Sequence, residues 1–371
     1  MKILIIARLF SPEVGGIQTY SFELARSCYQ LGHEVMVLCP PCQGDAAFDA
    51  KQPFFIKRIW GTQARWIKLL FFSASYLWFA WRFRPQISIA TIWAPCGLAA
   101  RLGKPVFKIP YLTVFHGTEI GIWEKRFLMK SVMRHTILES RFVIANSRFT
   151  ANQIKLLDIP ESHIQVVPCG VDTERFHPDV PARFQNSEKK VLLVIAALIP
   201  RKGIDMVLKV LPRIRNHYPG ILFRIGGKGP DLSRLQKLAE DLQIEDCVEF
   251  LGFVPEDQIP SHFASCDIFI MPSRQIGNDF EGFGIVFLEA NACGKPVIAG
   301  NSGGIPDAVE NEKTGFLVDP CNEEALIEAT LLLLQNQAMY QKMSRDSVIH
   351  SQQFKWKTIT QRILNTIETE S

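Results

Sequence analysis

No apolar run in these 371 residues is long enough to cross a bilayer without charge. The most aromatic stretch, Leu69 to Trp81, has only 13 residues. The N-terminal MKILIIARLF is too short for a signal-peptide core, and no small-residue cleavage site follows it. It reads instead as a first buried strand. The nine cysteines hold a single CxxC, Cys39 to Cys42, with no second pair and no His spacing suited to zinc. An odd, scattered set fits free thiols in a reducing compartment, so a cytoplasmic protein is expected. Net charge is only +4, too slight to argue for nucleic acid. The first strand is not followed by GxGxxG, so the dinucleotide fingerprint is absent. What remains is an ordinary globular composition, 47% apolar and 21% charged, long enough for two domains.

The pattern that is present is strand, Gly-rich loop, helix, strand. Lys2 to Ala7 runs into a loop with Pro12, Gly15 and Gly16, then an amphipathic helix ending at Gly32, then the strand HEVMVLCP. This is the opening of a doubly wound parallel sheet. Gly15 and Gly16 would let the backbone approach a ligand at the helix start. His116 ends the strand IPYLTVFHGTE, and Asn146 and Ser147 end FVIANS with Thr150 just beyond, where open parallel sheets bind ligands. A proline- and glycine-bearing crossing, His163 to Pro178, leads to a polar loop, VPARFQNSEKK. The pattern then restarts at Val191. Its first loop holds Arg201, Lys202 and Gly203, and two cations at a strand-to-helix turn suit a diphosphate. Gly226 to Pro230 reads as a flexible turn. Two sequential α/β domains with Gly-rich turns imply a cleft between them.

The most informative stretch is DFEGFGIVFLE, Asp279 to Glu289. Gly282 and Gly284 lie in a loop, and IVFLEANACG reads as the helix after it. A helix start leaves backbone N–H groups unpaired at the positive end of the dipole, a ready phosphate site. Glu281 in the loop and Glu289 in the second helical turn would flank it. Carboxylates there more plausibly accept hydrogen bonds from hydroxyls of a ribose or sugar. A nucleotide-sugar presents phosphate, ribose and sugar together.

With those residues in hand, the chain resembles the retaining glycosyltransferases of family 4 over nearly its whole length. The ordered set SPEVGGIQTY, VFHGTE, VPCGVD, PRKG, GKGP, DIFIMPS, EGFGIVFLEANACGKPVIA and GGIPDAV carries the resemblance. It implies an α/β protein of the GT-B fold, with two Rossmann-like doubly wound domains facing a cleft. The expected divisions are 1–172 for the acceptor-binding domain, 173–350 for the nucleotide-sugar-binding domain, and 351–371 for a C-terminal helix packing back on the first. It implies that Gly15 and Gly16 bring backbone to the donor diphosphate, that Arg201 and Lys202 neutralise it, and that Glu281 binds sugar hydroxyls. Phe283, Gly284 and Ile285 would offer main-chain contacts, Glu289 would hold the ribose, and His116 would sit by the sugar 6-hydroxyl. Gly229 in the GKGP turn and the Val254 region would border the base. One departure stands out. Members usually carry Gly-Arg after the strand that opens the second domain, and here those places are Ala196 and Ala197.

The expected reaction is transfer of a hexose from a nucleotide diphosphate to a hydroxyl of a glycan or lipid-linked acceptor, with retention, in cell-envelope or exopolysaccharide assembly. No carboxylate is left over to serve as a covalent nucleophile. Same-face attack, with the departing diphosphate accepting the proton, needs only positioning and charge. No obligatory metal or other cofactor is expected. A nucleotide-sugar epimerase and a non-catalytic nucleotide-sugar-binding or assembly protein share the architecture. PRKG and EGFGIVFLE argue against the first, while Ala196–Ala197 leaves room for the second. The aromatic, basic segment 54–84 suggests an anionic membrane surface and a peripheral location on its inner face. Leu69 to Trp81 is expected to be a buried helix, with Trp60, Arg65, Trp66 and Lys68 the better candidates for lipid contact.

Overall fold

The computed structural model describes residues 1–60, 68–123, 127–184 and 189–369. The chain divides into two compact units. The first is Met1–Gly170 with Trp356–Ser371, and the second is Val171–Lys355. The chain thus crosses at residues 170/171 and 355/356, a few residues from the divisions expected at 172 and 351.

The first unit runs β1 (Lys2–Ile6), α1 (Gly16–Gln30), β2 (Glu34–Cys39), α2 (Asp45–Asp49), β3 (Phe55–Arg58), α3 (Lys68–Phe83) and β4 (Ile87–Ala90). It continues with α4 (Leu98–Phe107), β5 (Tyr111–Phe115), α5 (Thr118–Trp123), α6 (Phe127–Leu138), β6 (Val143–Ala145), α7 (Arg148–Lys155) and β7 (Ile164–Val166). Its seven strands lie in the order β3-β2-β1-β4-β5-β6-β7, all parallel. The second unit runs β8 (Lys190–Ile195), α8 (Ile204–His217), β9 (Ile221–Gly226), α9 (Leu232–Asp241), β10 (Val248–Gly252), α10 (Ile259–Ala264) and β11 (Ile268–Met271). After these come α11 (Ile285–Ala292), β12 (Val297–Gly300), β13 (Gly315–Val318), α12 (Glu323–Gln335) and α13 (Gln337–Gln352). Its six parallel strands take the order β10-β9-β8-β11-β12-β13. The last helix, α14 (Trp356–Thr369), packs on α1 of the first unit.

The strands read as unbroken apolar runs because helices cover both faces of each sheet. β1, β4, β5 and β11 are buried almost throughout. Each unit reverses direction beside its first strand, at β1/β4 and at β8/β11. Open α/β sheets bind ligands at such a switch point, outside the carboxyl ends of the strands.

The segment APCGLAARLGK and the residues after it contain a helix, α4, despite Pro105 within it. One expectation changes here. The helix around Leu69–Trp81 is not buried all round. Phe72, Tyr76, Ala80 and Phe83 enter the core, while Leu70, Phe71, Trp78 and Trp81 face outward. Trp60 is 78% exposed. Arg65, Trp66 and the side chain of Lys68 lie outside the described residues, as do residues 185–188 of the polar loop. Among the described residues no helix is long and apolar enough to cross a membrane.

Candidate active site

In the second unit the loops after β8 and β11 meet at the switch point. Pro200–Lys202 forms a 3-10 turn, closed by Gly203 at φ +73°. A Cβ on Gly203 would stand 2.1 Å from the Pro272 carbonyl oxygen, so only glycine lets the two loops lie this close. The Arg274 N–H donates to the Arg201 carbonyl at 2.9 Å. The Arg274 guanidinium donates to both oxygens of Asp205 at 3.0 and 2.8 Å, in the first turn of α8. The loop bearing the two cations is therefore fixed at both its backbone and its following helix.

Those cations converge on one carboxylate. Arg201 Nη1 donates to Glu281 Oε2 at 2.7 Å, and Lys202 Nζ donates to the same oxygen at 2.5 Å. Arg201 Nε also stands 3.0 Å from Asp279 Oδ1. The three side chains of the central group are only 11–15% exposed. Burial alone would raise the Glu281 carboxyl, but Lys202 and Arg201 overcome it and hold the group down at about 2. The Glu281 carbonyl accepts from the Gly304 N–H at 2.8 Å, and Gly303 packs so close that a Cβ would be 2.4 Å from that oxygen. The sequence brought out these residues separately. It did not show that Glu281 would lie on the two cations.

Beside this cluster α11 begins without a side-chain cap. Its N-cap is Gly284, at φ +93°, and its first turn holds no acidic residue. The positive end of the helix is left for a ligand. Phe283 is buried and Ile285 half-buried. Glu289, on the second turn, is half-buried, and its carboxylate has no hydrogen-bond or ion-pair partner among the described residues. Burial pushes it up to about 7, with Arg175 opposing and Glu256 and Asp172 adding to the rise. A group poised to accept hydrogen bonds but lacking donors suits the paired hydroxyls of a ribose.

The Gly226–Pro230 turn is pinned rather than flexible. Leu198 N–H donates to the Lys228 carbonyl at 2.9 Å, and Gly227 N–H donates to the Gly252 carbonyl. Added Cβ atoms would meet the Ala196 oxygen at 1.8 Å from Gly227 and the Leu198 oxygen at 2.2 Å from Gly229. The glycines serve close backbone approach. Val254 is buried directly behind Gly226. Ala197 is exposed and carries no charge, so Arg201 is the arginine this loop supplies.

In the first unit α1 starts bare as well. Gly15 is its N-cap with no capping side chain, and the space beside Gly16 is open. One turn on, the Tyr20 ring sits edge-on to His116, centroids 5.0 Å apart. His116 Nε2 lies 2.9 Å from the Thr91 carbonyl. A carbonyl only accepts, so Nε2 carries the hydrogen and in the neutral ring Nδ1 is left to accept. Asn146, Ser147 and Thr150 form a buried network that caps α7: Thr150 N–H and hydroxyl donate to Ser147 and Asn146. A residue not singled out from sequence backs this arrangement. Trp356, opening α14, packs edge-on to Tyr20 at 5.4 Å. Among the described residues no group of three or more His, Cys, Asp or Glu is placed to hold a metal ion.

Comparisons with known proteins agree in kind. Residues 14–175 match the family described as Glycosyltransferase Family 4, and residues 179–347 match Glycosyl transferases group 1. The chain is 34% identical over 357 residues to the GDP-mannose-dependent alpha-(1-6)-phosphatidylinositol monomannoside mannosyltransferase of Mycobacterium tuberculosis, covering 90% of this chain and 89% of that one. It is 28% identical to the GDP-mannose-dependent monoacylated alpha-(1-6)-phosphatidylinositol monomannoside mannosyltransferase of Corynebacterium glutamicum, covering 100% and 98%. The crystal structure of Anabaena HepE in complex with UDP superposes with a TM-score of 0.84 over all of both chains at 20% identity, a likeness of fold.

Proposed function

The chain belongs to glycosyltransferase family 4, and from that premise we propose that it moves a hexose from a nucleotide diphosphate to a hydroxyl of a glycan or lipid-linked acceptor, with retention. The observation that carries the reading is the Arg201–Lys202–Glu281 cluster beside the uncapped start of α11, with Glu289 one turn along. The cations receive the donor diphosphate, the α11 amides add to that hold, Glu281 turns to sugar hydroxyls, and Glu289 takes the ribose. Phe283, Gly284 and Ile285 contribute main chain, and Gly229 and Val254 flank the base. In the first unit, the bare amides at Gly15 and Gly16 and Nδ1 of His116 take the phosphate and 6-hydroxyl roles implied by the resemblance. GDP-mannose is the first donor to try, because relatives covering nine-tenths or more of the chain carry that donor in their names.

The bond from the anomeric carbon to the β-phosphate oxygen breaks as the bond to the acceptor oxygen forms on the same face. The acceptor proton passes to the departing diphosphate. Arg201 and Lys202 stabilise the charge that develops there. Such charge-assisted hydrogen bonds are worth about 1.5–3 kcal/mol each. No metal is required for this scheme, so turnover is expected to persist in EDTA. We place this work in cell-envelope assembly, at the cytoplasmic face of a membrane; the support is that the names of the same relatives carry a phosphatidylinositol mannoside, a lipid acceptor.

The deciding experiment incubates the protein with a panel of nucleotide-sugars and of glycan and glycolipid acceptors. Acceptor-dependent release of nucleoside diphosphate and an α-linked product from an α-linked donor are expected. Release that ignores the acceptor, or an inverted product, overturns the reading.

A further inference from the structure

Arg58, the last residue of β3, stands in the basic segment 54–84 but turns inward. Its side chain is only 9% exposed. The guanidinium lies over the Phe10 ring, 5.7 Å from the centroid. Nε donates to Asp49 Oδ2 at 3.0 Å and Nη2 to Asp49 Oδ1 at 2.7 Å, a paired hold on the end of α2. Nη2 also donates to the Ser11 carbonyl at 2.8 Å. Nη1 donates to the Pro40 carbonyl at 3.0 Å and to Cys42 Sγ at 3.7 Å. An arginine has five N–H donors, and these bonds use them all. None is left for an anion outside the protein.

What this group ties together is the loop between β1 and α1. Ser11 lies in that loop, which ends at Gly15 and Gly16, where α1 starts bare. Among the described residues no backbone-to-backbone hydrogen bond involves residues 8–14. A loop without such bonds takes its shape from side chains. Besides Arg58, thiols hold it: the backbone of Glu13 bonds Cys42, and that of Arg8 bonds Cys96. Thiols are weak partners, whereas the bond from Arg58 to Ser11 is charge-assisted. Cys42 is itself bonded by Arg58, so the loop is held at Ser11 directly and at Glu13 through the thiol. Asp49 in turn keeps the planar guanidinium facing the loop.

We propose that Arg58 is a positioning residue for the transfer reaction: it fixes the loop that ends at Gly15 and Gly16, and with it the backbone amides they offer the donor diphosphate. The proposal deepens the transferase reading and rests on it for its purpose. Arg58 touches neither donor nor acceptor and acts through the Ser11 carbonyl. Lysine would keep the charge but has a single nitrogen, which cannot serve Asp49, Pro40 and Ser11 at once.

The test is Arg58→Lys in the full chain, read in three ways. A glutamate-specific protease should cut after Glu13, exposed in the loop, about tenfold faster than in wild type, the weight of one lost hydrogen bond from a charged donor. Cleavage within the second unit should not change. Calorimetric affinity for GDP should change by about twofold or less, because the Arg201–Lys202 cluster lies in the other unit and shares no partner with Arg58. The kcat for hexose transfer should fall about tenfold or more, from amides no longer held in place. Asp49→Asn keeps the arginine but loosens its anchor. It should move cleavage and kcat the same way by less, and it carries the test if Arg58→Lys does not fold. Wild-type cleavage after Glu13, wild-type kcat, or a GDP affinity that falls in step with kcat each overturns the proposal. Proteolysis needs no turnover, so the failure of the proposal and that of the transferase reading are separately visible.

Discussion

Replacing Glu281 by glutamine tests the cluster most directly. In the folded protein the carboxyl titrates at about 2 rather than near its ordinary 4.5. At about 1.36 kcal/mol per pH unit, that gap corresponds to about 3 kcal/mol of stability. Because the folded value is depressed, this contribution is fully present above pH 4.5 and is lost as pH falls toward 2. At pH 3 about 1.4 kcal/mol of it remains. Glutamine cannot ionise, and Lys202 is left nearly buried without the carboxylate it bonds to. The variant should therefore unfold in urea with about 3 kcal/mol less stability at pH 7, the deficit roughly halving at pH 3. Donor phosphates compete with Glu281 for the same two cations. Freeing them should tighten GDP binding about tenfold by calorimetry, from one charge-assisted bond gained, while transfer of sugar falls. Equal stability at pH 7, a deficit that ignores pH, or weaker GDP binding in the variant would refute the electrostatic reasoning.

Glu289→Gln should act in the opposite sense. The folded value of about 7 lies above the ordinary one, so ionisation costs stability progressively from about pH 4.5 and fully above 7. The variant should gain about 1–3 kcal/mol at pH 8 and nothing at pH 4 in urea titrations. Wild type should bind GDP more weakly as pH falls below about 7, and the variant should not. Gly203→Ala places a Cβ against the Pro272 oxygen at a left-handed backbone position. A loss of about 2–4 kcal/mol is expected, with weaker GDP binding because the Arg201–Lys202 turn must move. Arg274→Ala strands the buried Asp205, which Arg234 approaches only to 3.8 Å. It should cost about 3 kcal/mol and raise KM for the donor, with partial rescue by Arg274→Lys.

The architecture was legible because buried parallel strands are short apolar runs set off by glycine, as in Lys2–Ile6 and Ile268–Met271. Leu98–Phe107 was given no assignment from sequence, because Gly97, Gly103 and Pro105 interrupt its helical pattern, and Gly103 lets α4 approach Tyr76. The candidate residues were legible one by one. Their pairing was not, since Glu281 stands 80 and 79 positions from Arg201 and Lys202 and only the β8–β11 register brings them together. Gly227 and Gly229 suggested flexibility because a glycine needed for freedom and one needed for close packing look the same in sequence. In α3 the aromatic content was plain, but composition does not say that such a helix has one face too many for its core.

Trp356 has a consequence for how the protein is made. The first unit begins the chain but closes only with α14, whose opening tryptophan packs against Gly170 and backs Tyr20 beside His116. The second unit is continuous from Val171 to Lys355. During synthesis, which proceeds from the N-terminus, the second unit has all its residues before the first does. The unit that emerges first is thus the last to be finished. Until α14 leaves the ribosome, His116 lacks the wall behind its neighbour, so a nascent chain holds a complete cation cluster before it holds a complete histidine site.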